Sequence, residues 1–289
     1  MLPARRAMYS GSSRQLSSLT TNLERKVLMK LITATLAALT GVSICVVSSV
    51  HAADESCIGK WKFNPEKSQL SGLTYKVAEA GGDKMTFAFG EDSETVTLGK
   101  DHLTKYGNTW TLTKTGPNAW RWVIKRNGKV MSDATWTVAD DGATSTYVET
   151  ATRQDGSTSH NETQLKRTAG TSGLVGTWES TEIKIGSPNT MEIAKWGTDG
   201  YSMKYPPDKS VTDFKLDGKE YKPKGPIVPA GLTVSGKKMG ENKMELTYKL
   251  KGKVTDTDSW ELSSDGKTLT NTISFPSVDK QEVDVYDRQ

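Results

Sequence analysis

The sequence states one pattern twice. Gly59-Lys60-Trp61 opens a segment that runs to Leu165-Lys166-Arg167, and Gly176-Thr177-Trp178 opens another that runs to Tyr286-Asp287-Arg288. Between these brackets the landmarks recur in order. Met85, Phe87 and Phe89 answer to Tyr201, Met203 and Tyr205, and Gly99-Lys100-Asp101-His102 answers to Gly218-Lys219-Glu220-Tyr221. Gly128-Lys129-Val130, Trp136 and Asp141-Gly142 then answer to Gly252-Lys253-Val254, Trp260 and Asp265-Gly266. The spacing drifts only between landmarks, as happens when insertions fall in loops. A unit of roughly 110 residues is too long for a solenoid repeat and has the size of a domain. The chain therefore divides into a first domain at 53–169 and a second at 176–289, joined by a short linker at 170–175 whose Gly170-Thr171-Ser172-Gly173 is small and polar.

Within each unit the side chains alternate. Trp120, Trp122 and Ile124 share a face against Arg121, Val123 and Lys125, and Met244, Leu246 and Tyr248 repeat this against Glu245, Thr247 and Lys249. A period of two marks half-buried antiparallel strands. Asn127-Gly128, Asp141-Gly142 and Asp155-Gly156 supply the positive backbone angles of tight hairpins. No amphipathic helix pattern follows residue 57. The expected fold is all-β, two tandem antiparallel up-and-down barrels of roughly eight to ten strands each, because closure removes exposed sheet edges. A β-sandwich is the alternative.

The front of the chain is different. Leu31 to Val50 is an apolar stretch preceded by Arg25, Lys26 and Lys30 and followed by Val50-His51-Ala52, the small-x-small form of a signal-peptidase site. Residues 1–52 thus read as a leader with a signal peptide, with Met29 as an alternative start, and the protein as exported to the periplasm or the extracellular space. Removing the leader takes six of the 38 basic and one of the 34 acidic residues, leaving 32 and 33. A balance so near zero gives no electrostatic case for nucleic acid, and no stable membrane insertion is expected after cleavage. Of the two cysteines, Cys45 leaves with the leader and Cys57 remains near the new terminus, so no internal disulfide forms.

Gly59-x-Trp61 and Gly176-x-Trp178, each followed by an arginine at the far end of its meander, Arg167 and Arg288, resemble the calycins, the lipocalin and fatty-acid-binding-protein group. The start of the first copy, Gly59-Lys60-Trp61-Lys62-Phe63-Asn64-Pro65-Glu66-Lys67-Ser68, also resembles uncharacterised exported proteins with Gly-x-Trp-x-x-Asn-Pro-x-x-Ser. The calycin resemblance implies a barrel closed at one end by the tryptophan, with the arginine of the last strand stacked across it. It also implies a small apolar molecule bound in the lumen.

Positions that match between copies, including Trp61, Trp178, Trp136, Trp260, Arg167 and Arg288, are assigned to the scaffold. The candidate ligand-binding residues are Trp120, Trp122, Phe87 and Phe89 in the first copy and Met203, Tyr205, Met244, Leu246 and Tyr248 in the second. The run from Gly225 to Gly231, with two prolines, is a loop that could cover a barrel mouth. His102 and His160 stand in non-equivalent contexts and lack metal-ligand spacing, there is no Cys-x-x-Cys, and phosphate-loop and dinucleotide motifs are missing, so no cofactor or metal is expected. Asp256-Thr257-Asp258 lacks the calcium-loop pattern and reads as turn or edge charge. The leading expectation is an exported carrier or binder of a small hydrophobic, lipid-like molecule. Its rivals are a calycin-type enzyme using Glu149, Tyr147 or Tyr205, and an envelope or extracellular module binding glycan or protein through Trp110 and Trp196.

Overall fold

The computed structural model describes residues 57–289. The expected signal peptide, its expected cleavage site and Met29 lie outside the described residues. After β1 (Gly59–Phe63) come β2 (Thr74–Glu79), β3 (Lys84–Phe89), β4 (Asp92–Thr97), β5 (Asp101–Leu103), β6 (Asn108–Gly116) and β7 (Ala119–Arg126). The chain continues through β8 (Lys129–Val138), β9 (Thr144–Thr152), β10 (Thr158–Ser172) and β11 (Val175–Ile185). The second half holds β12 (Thr190–Trp196), β13 (Gly200–Tyr205), β14 (Ser210–Lys215), β15 (Asp217–Tyr221) and β16 (Leu232–Lys238). It ends with β17 (Lys243–Leu250), β18 (Lys253–Leu262), β19 (Thr268–Ser274) and β20 (Glu282–Arg288). The expected hairpins form: Asn127 and Gly128 between β7 and β8 both have positive φ, and Lys251 and Gly252 repeat this between β17 and β18.

These strands build two ten-stranded antiparallel sheets, each curled into a nearly closed barrel. The sandwich alternative does not form. Barrel one has the order β4-β3-β2-β11-β10-β9-β8-β7-β6-β5, and barrel two the order β14-β13-β12-β1-β20-β19-β18-β17-β16-β15. Barrel one is thus continuous in sequence from Thr74 to Ile185, while barrel two takes β1 from the front of the first copy and inserts it between β12 and β20. Each opening strand sits in the barrel of the other copy. The segment expected as a linker, 170–175, instead forms the tip of the β10–β11 hairpin within barrel one, where Ser172 pairs with Val175. The chain crosses between barrels at 64–73 and 186–189.

This exchange corrects the pairing implied by the calycin resemblance. Arg288 lies over Trp61, with its guanidinium carbon 4.4 Å from the ring centroid, and Arg167 lies over Trp178 at 4.1 Å. Each tryptophan stacks with the arginine of the opposite copy. The two plugs are otherwise alike: Trp61 Nε1 donates to Cys57 O at 3.0 Å and Trp178 Nε1 to Leu174 O at 2.9 Å. Arg288 donates to Gly266 O and Ile58 O, as Arg167 does to Gly142 O and Val175 O. The glycine of Gly-x-Trp has a steric reason. A Cβ on Gly59 would stand 2.7 Å from Arg288 Nη1, and one on Gly176 would stand 2.6 Å from Arg167 Nη1. Cys57, near the expected new terminus, is buried against barrel two.

The barrels meet through a small apolar cluster of Leu73, Phe89, Ile273 and Phe275, with Phe89 and Phe275 edge to face at 5.4 Å.

Candidate functional site

The period-two pattern that builds the barrels also decides what fills them. In barrel one Trp110, Trp120, Trp122 and Trp136 all point inward and are buried. Trp122 stacks on Trp136 at 6.4 Å, meets Trp110 edge to face at 4.9 Å, and touches Phe87 at 4.7 Å. A space of about 20 Å³ lies beside these rings, lined also by Phe87 and Phe89. Across the β8-β9-β10 register, Ala134, Glu149 and Asn161 share one row and Trp136, Tyr147 and Thr163 the next. Glu149 is sealed in, yet both its oxygens are occupied: Ser132 Oγ donates at 2.5 Å and Asn161 Nδ2 at 3.2 Å. Burial pushes its carboxyl up, and these two bonds pull part of the way back.

Barrel two places smaller groups where barrel one has indoles. The register that sets Trp110 beside Ile124 sets Val234 beside Tyr248, and Trp120 opposite Trp136 becomes Met244 opposite Trp260. One end of the lumen is left hollow, a cavity of about 110 Å³. Its walls include Tyr205, Tyr248, Tyr286, Leu232 and Ile273, and its polar floor is Asp256, Asp258 and Asn271. The rows explain the floor. Asp258, Ile273 and Glu282 align across β18-β19-β20 where barrel one has Ala134, Glu149 and Asn161. Trp260, Asn271 and Asp284 align where barrel one has Trp136, Tyr147 and Thr163.

Asp256 and Asp258, expected as turn or edge charges, are therefore inward-facing strand residues, 3% and 5% exposed. Asn271 Nδ2 donates to Asp258 Oδ2 at 3.0 Å, while Asp258 Oδ1 and Asn271 Oδ1 are buried with no hydrogen-bond partner. Burial drives the Asp258 carboxyl well above the usual carboxylate range, and the neighbouring charge of Asp256 adds to the shift.

The mouth is covered from two sides. The loop 225–231 brings Ile227, Val228 and Pro229 over the opening, its entry fixed by paired backbone bonds of 2.8 Å between Val211 and Lys224. From barrel one, Arg126 donates to Val228 O at 2.8 Å, to Asn108 Oδ1 at 3.1 Å and to Tyr106 O. Tyr106 in turn donates to Asp92 at 3.2 Å. One barrel thus latches the cover of the other.

No family model matches the chain, and neither does any curated protein or solved structure.

The nine residues singled out from sequence disperse. Tyr205 and Tyr248 line the cavity. Met203 and Leu246 lie in the packed core of barrel two, and Met244 borders a separate space of about 30 Å³. Trp120 and Trp122 are core of barrel one, Phe87 packs on Trp122, and Phe89 reaches the contact between barrels. Of the residues named for the rival readings, Tyr147 and Glu149 are enclosed in barrel one and Trp110 is buried. Trp196 is half-buried, with its ring edge to face with Tyr221 at 5.8 Å. His102 is spent on Glu94, at 2.7 Å. Sequence reasoning missed Asp256, Asp258 and Asn271. The signal was present, since Asp256 and Asp258 fall two and one strand periods before Trp260 on the same face.

Proposed function

We propose that the chain is an exported, calycin-like tandem-barrel protein of the periplasm or extracellular space that binds a small, largely apolar molecule in the second barrel. The observation that carries this reading is the covered cavity itself, with tyrosine and aliphatic walls, a few placed polar groups, and a loop across its mouth. Such a combination of apolar lining and sparse fixed polarity is how small-molecule sites are built. In this reading barrel one serves as the scaffold that holds the cover through Arg126.

The test is titration of the purified protein with fatty acids, aliphatic alcohols and small aromatics, followed by intrinsic fluorescence and native mass spectrometry. Saturable binding of one molecule per chain, lost on filling the cavity with Ile273→Trp, is the expected result. If no lipophile saturates and none co-purifies, the reading fails.

One observation favours a second reading, an enzyme of calycin type: the cavity holds two neighbouring carboxyls, one driven up by burial, which is the arrangement acid–base catalysis uses. The two readings part on the fate of the bound molecule. Recovery unchanged after long incubation supports the binder, and recovery as a product supports the enzyme.

A further inference from the structure

Two acceptors on the cavity floor face inward with nothing to accept. Asp258 Oδ1 and Asn271 Oδ1 are on residues 5% and 3% exposed, both line the cavity, and neither oxygen has a hydrogen-bond partner. Leaving buried polar atoms unsatisfied is costly, so a floor built of acceptors calls for a ligand that brings donors. An ammonium supplies three donors and no acceptor, and its positive charge complements the carboxylate of Asp258.

The walls fit the same chemistry. Tyr205, Tyr248 and Tyr286 present aromatic rings to the cavity, and aromatic faces attract organic cations while burying an apolar body. The one basic group lining the cavity, Arg126, stands at the mouth with three of its five N–H donors given to Val228 O, Asn108 Oδ1 and Tyr106 O. With Asp258 ionised, the two unpaired oxygens of the floor, Asp258 Oδ1 and Asn271 Oδ1, are acceptors that suit a cationic donor and not an anion. Among the described residues no group of three or more histidine, cysteine or carboxylate side chains is arranged to hold a metal ion. Barrel one confirms that the floor is not a requirement of the fold, for Ala134 and Tyr147 occupy the places of Asp258 and Asn271 there.

We propose that the cavity takes a small organic cation, an amine on an apolar or aromatic body, with its ammonium at Asp258 and Asn271 and its body against Tyr205, Tyr248 and Tyr286. This rests on the binding reading above and names the class of ligand for that site.

Three probes of like shape test it: phenethylamine, phenethyl alcohol and hydrocinnamate, titrated calorimetrically into the purified protein at about pH 8, where the amine is charged. The amine is expected to bind at least about tenfold more tightly than the alcohol, and the carboxylate least tightly. Asp258→Asn should bring the amine down to the alcohol while leaving the alcohol unchanged. Asp258→Ala, which reproduces the alanine of barrel one, should do the same and guards against a misfolded first variant. Alcohol or hydrocinnamate binding as tightly as the amine overturns the amine and leaves the cavity reading standing. Silence from all three probes and from the wider lipophile panel overturns both. Calcium that displaces the amine and depends on Asp258 would replace the amine site with a metal site.

Discussion

Barrel one and barrel two share a plug, a strand order and a hairpin plan, yet one is packed with indoles and the other is hollow. The difference lies in few positions. Trp110, Trp120 and Trp122 give way to Val234, Met244 and Leu246, and the neutral Ser132, Ala134 and Thr163 give way to Asp256, Asp258 and Asp284. A filled interior returns stability, while a cavity floored with carboxyls costs some. Duplication lets one fold hold both arrangements, a packed interior in barrel one and a cavity in barrel two.

The comparison breaks most readily at the packed end. Trp122→Ala should cost about 3–5 kcal/mol, since it empties a space bounded by Trp110, Trp136 and Phe87. Its positional counterpart, Leu246→Ala, should cost about 2–4 kcal/mol. Denaturant midpoints of the two variants measure the asymmetry, and equal losses would contradict it.

The crossed plugs come next. Arg288→Ala removes hydrogen bonds to Gly266 O and Ile58 O together with the stack on Trp61, an expected loss of about 2–4 kcal/mol. A double-mutant cycle sharpens this. Arg288 with Trp61→Phe should show coupling of about 1 kcal/mol, whereas Arg167 with Trp61→Phe should be additive within about 0.5 kcal/mol. Coupling of Arg167 to Trp61 would restore the unexchanged arrangement.

A smaller effect distinguishes the two buried carboxyl sites by pH. Asp258 has its folded-state affinity for a proton raised by burial and by Asp256. The folded protein therefore holds that proton where the unfolded chain has released it, and the stability contributed by Asp258 falls as pH rises through its folded value. Asp258→Asn should remove this slope and raise stability near neutral pH by about 1–2 kcal/mol. That corresponds to roughly 2–4 °C in Tm per kcal/mol for a chain of this size. Glu149→Gln should gain less, because Ser132 and Asn161 already serve both of its oxygens. Thermal melts across mildly acidic to neutral pH check both variants.

The smallest effect concerns the latch. Arg126→Ala opens the cavity mouth and frees Val228 O, Asn108 Oδ1 and Tyr106 O. It should lower stability by about 1 kcal/mol and speed ligand release by about tenfold, equivalent to about 1.4 kcal/mol, as stopped-flow displacement would record.

Much of this arrangement was legible in the sequence, and the failures have definite causes. Alternation and turn residues revealed the strands, and the doubled Gly-x-Trp with its arginines revealed the plugs. The exchange of β1 and β11 was not legible. Gly59-Lys60-Trp61 and Gly176-Thr177-Trp178 carry the same local instruction, and either tryptophan suits either arginine. Which barrel each enters depends on how 64–73 and 186–189 route the chain, and no local pattern records that. Tyr205 and Tyr248 were found because they alternate with core neighbours. Asp256 and Asp258 were mistaken for surface because charge was given more weight than phase. Phase was the better guide, since a strand with Trp260 and Leu262 inward has no freedom to turn Asp258 outward without a bulge.

The exchanged strand also sets an order of assembly. Barrel one is complete once the chain has been made as far as Ile185, but β1 pairs with β20, whose Arg288 seals Trp61 across most of the described sequence. Closing so long a loop adds little to the equilibrium cost, about 0.6 kcal/mol for each doubling of length. It acts instead on timing. While the chain is emerging, the segment around Trp61 can pair with β12 as soon as that strand is made, but its other edge and its covering arginine wait for β20, so the scaffold forms first and the hollow barrel closes last.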